Sequence, residues 1–150
     1  MATSILLLTG CAMLSVPARP NDRPLAVTAR DGGVWFAWCG QPTDEFGYLQ
    51  ITYREYSSDT GFVTAARGTG EFRFEPGTEF STTTPPVGLT FDVDEGIALD
   101  AGAMRIFVAP GQSADNLAPW SVIFEVESPD DITDVWLHPS GEMTSEPCVD

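Results

Sequence analysis

The chain offers one histidine, three cysteines and 22 acidic residues against seven arginines and no lysine, so any chemistry must come from that inventory. The histidine is His138, in Trp136-Leu137-His138-Pro139. A general base needs partners that hold and orient it. Ser140 is close in sequence, but nothing in the chain matches the Gly-x-Ser-x-Gly nucleophile turn. A phosphate-binding glycine loop, a dinucleotide fingerprint and a His-Glu-x-x-His pair are all missing. His138 therefore reads as a structural residue near a strand end. Carboxylates are plentiful. Asp92-Val93-Asp94-Glu95-Gly96, with Asp100 further on, begins like a calcium loop. Gly96 stands where the third ligand belongs and the twelfth position is not Glu, so the EF-hand pattern fails. Asp92, Asp94 and Asp100 are the weak calcium candidates, and Asp130, Asp131 and Asp134 form a second acidic cluster. Glycoside hydrolysis needs two carboxylates about 5–9.5 Å apart, a distance that sequence does not fix. No cofactor and no catalytic residue are expected.

Aromatic residues give the sharper signal. Alternation in Val34-Trp35-Phe36-Ala37-Trp38-Cys39 puts Trp35, Ala37 and Cys39 on one face of a strand and Phe36 with Trp38 on the other. If Cys39 faces the core, Phe36 and Trp38 point outward. Residues two apart on a strand lie about 7 Å from each other, which suits stacking on a sugar ring or a partner's apolar patch. Trp136 sits on a C-terminal segment that would either join this surface or cover it. Phe36, Trp38 and Trp136 are the candidate binding residues.

Leu8-Thr9-Gly10-Cys11 closes the short apolar run Ile5-Leu6-Leu7-Leu8. These four residues resemble the lipobox of bacterial lipoproteins, in which the Cys becomes the lipidated first residue of the mature protein. The resemblance implies a signal peptide over 1–10, a lipid on Cys11 and attachment to a membrane outside the cytoplasm. Such signals carry a basic n-region and 7–15 apolar residues; neither feature is seen before Cys11. A membrane-spanning helix needs about 20 apolar residues, and the chain has no such run. With Cys11 lipidated, Cys39 and Cys148 remain as an even pair, and outside the cytoplasm they should form a disulfide. It would close a loop of over 100 residues, worth about 4–5 kcal/mol by chain entropy.

Net charge is −15, spread along the chain rather than gathered in a tail. Nucleic acid is a poor partner, because phosphate recognition needs clustered cations. Anionic lipid headgroups are equally disfavoured, so membrane attachment rests on the lipid. The partners expected are the membrane, through that lipid, and an envelope protein or glycan.

Residues 11–24 carry Pro17, Pro20 and Pro24 and read as an extended tether. From Leu25 onward, short alternating runs recur between Gly, Pro and Asp-rich turns. Strands are expected over 25–30, 34–39, 48–55, 62–66, 71–75, 78–83, 89–93, 103–109, 120–127 and 135–138. Asp31-Gly32-Gly33 marks a hairpin. Gly68-Thr69-Gly70 marks a break. Ser128-Pro129-Asp130-Asp131 starts at most one helical turn. No stretch sustains helical periodicity. The expected fold is all-β: an antiparallel β-sandwich of immunoglobulin- or fibronectin-like architecture over 25–150, with a small β-barrel second. The expected role is a lipid-anchored, non-catalytic binding module of the cell envelope. A structural envelope component without a ligand and a carboxylate-dependent hydrolase are the alternatives.

Overall fold

The computed structural model describes residues 24–97, 100–111 and 118–148. Their strands are β1 (Leu25–Arg30), β2 (Gly33–Trp38), β3 (Phe46–Glu55), β4 (Val63–Phe72), β5 (Glu79–Ser81), β6 (Leu89–Asp94), β7 (Gly102–Pro110), β8 (Trp120–Val126), β9 (Trp136–Leu137) and β10 (Met143–Thr144). They form two separate five-stranded antiparallel sheets, in the orders β10-β9-β1-β2-β5 and β6-β4-β3-β7-β8. The molecule is a β-sandwich, not a closed barrel. β1-β2-β5 lies as A-B-E does in an immunoglobulin sandwich, and β3-β7-β8 as C-F-G. The additions are β9 and β10 beyond β1, and β4 and β6 beyond β3.

Local chemistry explains the hairpins. β1 and β2 pair from Leu25↔Trp38 to Arg30↔Gly33. Asp31 and Gly32 between them have φ of 53° and 72°, the positive values that a two-residue primed turn requires. β4 departs from expectation, because one strand runs straight through Gly68-Thr69-Gly70. Those glycines answer a close approach rather than a turn. A Cβ at Gly68 would lie 2.7 Å from the Thr90 carbonyl oxygen, and one at Gly70 would lie 2.0 Å from that of Gly88. The β4–β6 register also shifts between Arg67 and Gly68, as a bulge does.

The core lies between the sheets and is largely aromatic. Phe36 stacks on Phe80 at 5.1 Å, Trp38 on Phe74 at 5.2 Å and Trp38 on Trp120 at 5.9 Å between ring centroids. Leu49, Ile51, Tyr53, Met104, Ile106, Val108, Val122, Phe124 and Val126 supply the second sheet's inner face. The expected single turn after Ser128 is the 3-10 helix Pro129–Ile132. It is tied to β1 by the Thr28 hydroxyl, which donates to the Ile132 carbonyl at 3.1 Å.

Cys39 and Cys148 are bonded, with Cα atoms 5.2 Å apart, within the ordinary range for a disulfide. Cys148 is exposed and Cys39 is half-buried. The bridge therefore fastens the segment after β10 to the outside of the first sheet.

A candidate binding edge

The sequence reading of β2 is reversed. Phe36 is fully buried and Trp38 is 5% exposed, both in the intersheet core. Neither presents a binding surface. The alternation itself holds, but the assumption that fixed its direction fails. Cys39 lies beyond the last residue of β2, and its disulfide is outside the sandwich. The face that Cys39 shares with Trp35 and Ala37 is therefore the outer one. Trp136 is also buried, packed over Ala26 and Ala37 with half-buried Trp35 beside it. The C-terminal segment thus covers the outer face of β1 and β2. The Arg30 guanidinium lies 4.4 Å above the Trp35 ring and 5.6 Å from that of Trp136, and it also pairs with Glu79.

Cys11 lies outside the described residues. The calcium candidates are not brought together. Asp92 accepts hydrogen bonds from Arg67 at 3.1 and 3.4 Å, which hold its carboxyl below the usual carboxylate range. Asp94 accepts the Gly96 N–H at 3.2 Å, inside its own loop. The Asp100 backbone is occupied by the Tyr53 hydroxyl, which donates to its carbonyl and accepts its N–H at 3.1 Å. Burial pushes the Tyr53 phenol up from its ordinary value. Among the described residues, no three His, Cys, Asp or Glu side chains form a group that could hold a metal ion.

The outer face of the second sheet carries half-buried rings. Phe62 has Arg54 at 5.0 Å and Arg105 at 4.8 Å from its ring, and Tyr48 meets Phe107 edge-on at 6.1 Å. Two guanidinium groups thus lie against the half-buried Phe62 ring.

The sheet edges differ more informatively. Unpaired edge strands invite further strand pairing, and folds normally blunt them by shortness, charge or bulges. β5 has three residues and β10 two. β6 carries exposed Asp92 and Asp94 and pairs through a register shift. β8 is longer, has no bulge and carries a single charge, the exposed Glu125. Its seven residues pair in unbroken register with β7 from Val126↔Gly102 to Trp120↔Val108. Among the described residues, no backbone hydrogen bond joins 121–126 to any other strand.

Beside that edge runs a groove of about 410 Å³, lined by Ile123, Glu125, Leu137, His138, Pro139, Ser140 and Gly141. β8 supplies one wall, and the other is the β9–β10 hairpin. Gly141, at φ 87°, lets that hairpin turn, and its N–H donates to the His138 carbonyl at 2.9 Å. The His138 Nε2 and the Thr144 hydroxyl share a hydrogen bond of 2.8 Å. The lone histidine thus braces the hairpin. Sequence reading recognised Trp120–Glu127 as a long strand but had no means of placing it at an edge. No protein-family model matches the chain, and no curated protein or solved structure is detectably similar to it.

Proposed function

We propose that this chain is a lipid-anchored binding module of the bacterial cell envelope, carried outside the cytoplasm. The anchoring half of the reading rests on Leu8-Thr9-Gly10-Cys11. Cys39 and Cys148 pair with each other, which leaves Cys11 as the unpaired thiol for a lipid. Disulfides persist in oxidising compartments, consistent with that address. The binding half rests on one observation, the long and regular β8 edge with its adjoining groove. A protein keeps such an edge at the risk of aggregation, and a partner that occupies it removes the risk.

The test has two arms, both with the full chain expressed in a bacterial host. Intact mass should show a mature start at Cys11 with added acyl mass in the membrane fraction, lost in Cys11→Ala. A soluble, unmodified wild-type chain would overturn the anchoring reading. A photo-crosslinking side chain at Ile123 should form a discrete envelope adduct that the same group at Thr90, on the opposite edge strand, does not form. Equal or absent adducts at both positions would overturn the binding reading.

A further inference from the structure

We infer that the β8 edge takes an extended, basic peptide segment as an added antiparallel strand; this rests on the binding reading above and names its ligand. Strand addition draws affinity from main-chain hydrogen bonds, while pockets for alternate side chains give specificity. Both parts are in place. Along an edge strand, every second residue turns its N–H and C=O away from its neighbour. Within 121–126 those groups face the open side, among the described residues. The groove then receives the side chains that an added strand projects toward the β9–β10 hairpin.

Charge selects among occupants. Glu125 is the charged residue of the groove lining, and neither Arg nor Lys lines it. Glu127 follows β8, and Glu142 stands beside β10, both exposed. Arg105 is the cross-strand partner of Ile123, but it spends its guanidinium on the Thr52 hydroxyl and the Phe62 ring. The chain as a whole carries −15. A strand alternating small apolar residues with Lys or Arg satisfies this site: its cations fall on the face that Ile123 and Glu125 share, and its apolar side chains fall on the opposite face, that of Val122 and Phe124. An acidic segment meets repulsion, and so does a second copy of this chain.

The experiment uses the full chain and three synthetic nine-residue peptides: alternating Val and Lys, alternating Val and Glu, and the Val-Lys peptide with a central Pro. Amide hydrogen exchange is read residue by residue, with sedimentation to fix the assembly state. The Val-Lys peptide should slow exchange at alternate amides within Ser121–Val126 by tenfold or more. The other two peptides should not. Glu125→Gln, at an exposed side chain, should weaken Val-Lys binding about two- to fivefold, the worth of one exposed ion pair. Ile123→Lys should abolish it with the fold intact. Equal protection by the Val-Glu peptide, protection elsewhere on the surface, or a free protein already dimeric through β8 would each overturn the proposal. An envelope adduct at Ile123 together with unprotected β8 amides would reject the strand-addition geometry and leave the binding reading standing.

Discussion

Replacing both bridge cysteines, as Cys39→Ser with Cys148→Ser, should destabilise the protein far more than the local structure suggests. On the native side little is lost. Cys148 is exposed, Cys39 is half-buried, and neither belongs to the aromatic core. The effect lies in the unfolded chain. A crosslink spanning 109 residues removes roughly 16 cal/mol/K of denatured-state entropy, or about 4.8 kcal/mol at 25 °C, in the loop-closure treatment. Disulfides commonly deliver about 2–4 kcal/mol. A folded part of about 125 residues has an unfolding entropy near 260 cal/mol/K. The melting temperature should therefore fall by roughly 8–18 °C.

The assay is calorimetry and urea unfolding of the double variant against wild type. Far-ultraviolet circular dichroism should be unchanged. The urea m-value should rise, because an uncrosslinked denatured chain is more expanded and exposes more surface. Losing under about 1 kcal/mol with an unchanged m-value would refute the reasoning, since a typical native disulfide contributes more. The bridge would then merely hold down a tail that folds and frays on its own.

Two further outcomes follow from the core and from the second sheet. Phe74 lies outside the strands yet is fully buried, with ring neighbours Trp38 at 5.2 Å, Phe80 at 5.4 Å and Phe72 at 5.6 Å; Phe74→Ala should cost about 3–5 kcal/mol in urea unfolding, and a loss under about 1 kcal/mol would show that the core closes over the gap. The Arg67 hydrogen bonds depress the Asp92 carboxyl, so the pair's contribution is present above the ordinary carboxylate range and lost as pH falls through the depressed value; an NMR titration should find the Asp92 midpoint low in wild type and raised in Arg67→Met, and equal midpoints would reject the pairing.

Much of the fold was legible because a half-buried antiparallel strand writes its burial as a period of two. Leu49, Ile51 and Tyr53 face the core, as do Val122, Phe124 and Val126, all as alternation required. Asp31-Gly32 turns as its residue types demand. The failures have physical causes. Gly68 and Gly70 read as a break, yet they serve a strand whose neighbour's backbone comes too near for a Cβ. Glycine reports that a Cβ is unwelcome and does not say why. Asp92 and Asp94 stand as weak calcium candidates because they are close in sequence. In space one serves Arg67 and the other serves its own loop.

The β2 reversal and the β8 edge mark a deeper limit. Alternation separates two faces, but one residue must say which is inside. Cys39 was a poor choice, since a disulfide fits equally well on the outside of a sheet. Apolar bulk was the better guide, because Val34, Phe36 and Trp38 together outweigh Trp35 and Ala37, and the larger payload is the one that burial rewards. Edge position carries no such clue, for it follows from which strands the topology leaves at the margin. What a sequence does record is the defence of an edge. β6 has its aspartates and its bulge, and β5 and β10 are kept short. Ser121-Val122-Ile123-Phe124-Glu125-Val126 carries one charge and neither a proline nor a glycine. An inner strand needs no defence, and neither does an edge that is covered in use. β8 lies at the margin of its sheet, and the second case is the one that the proposed strand addition takes up.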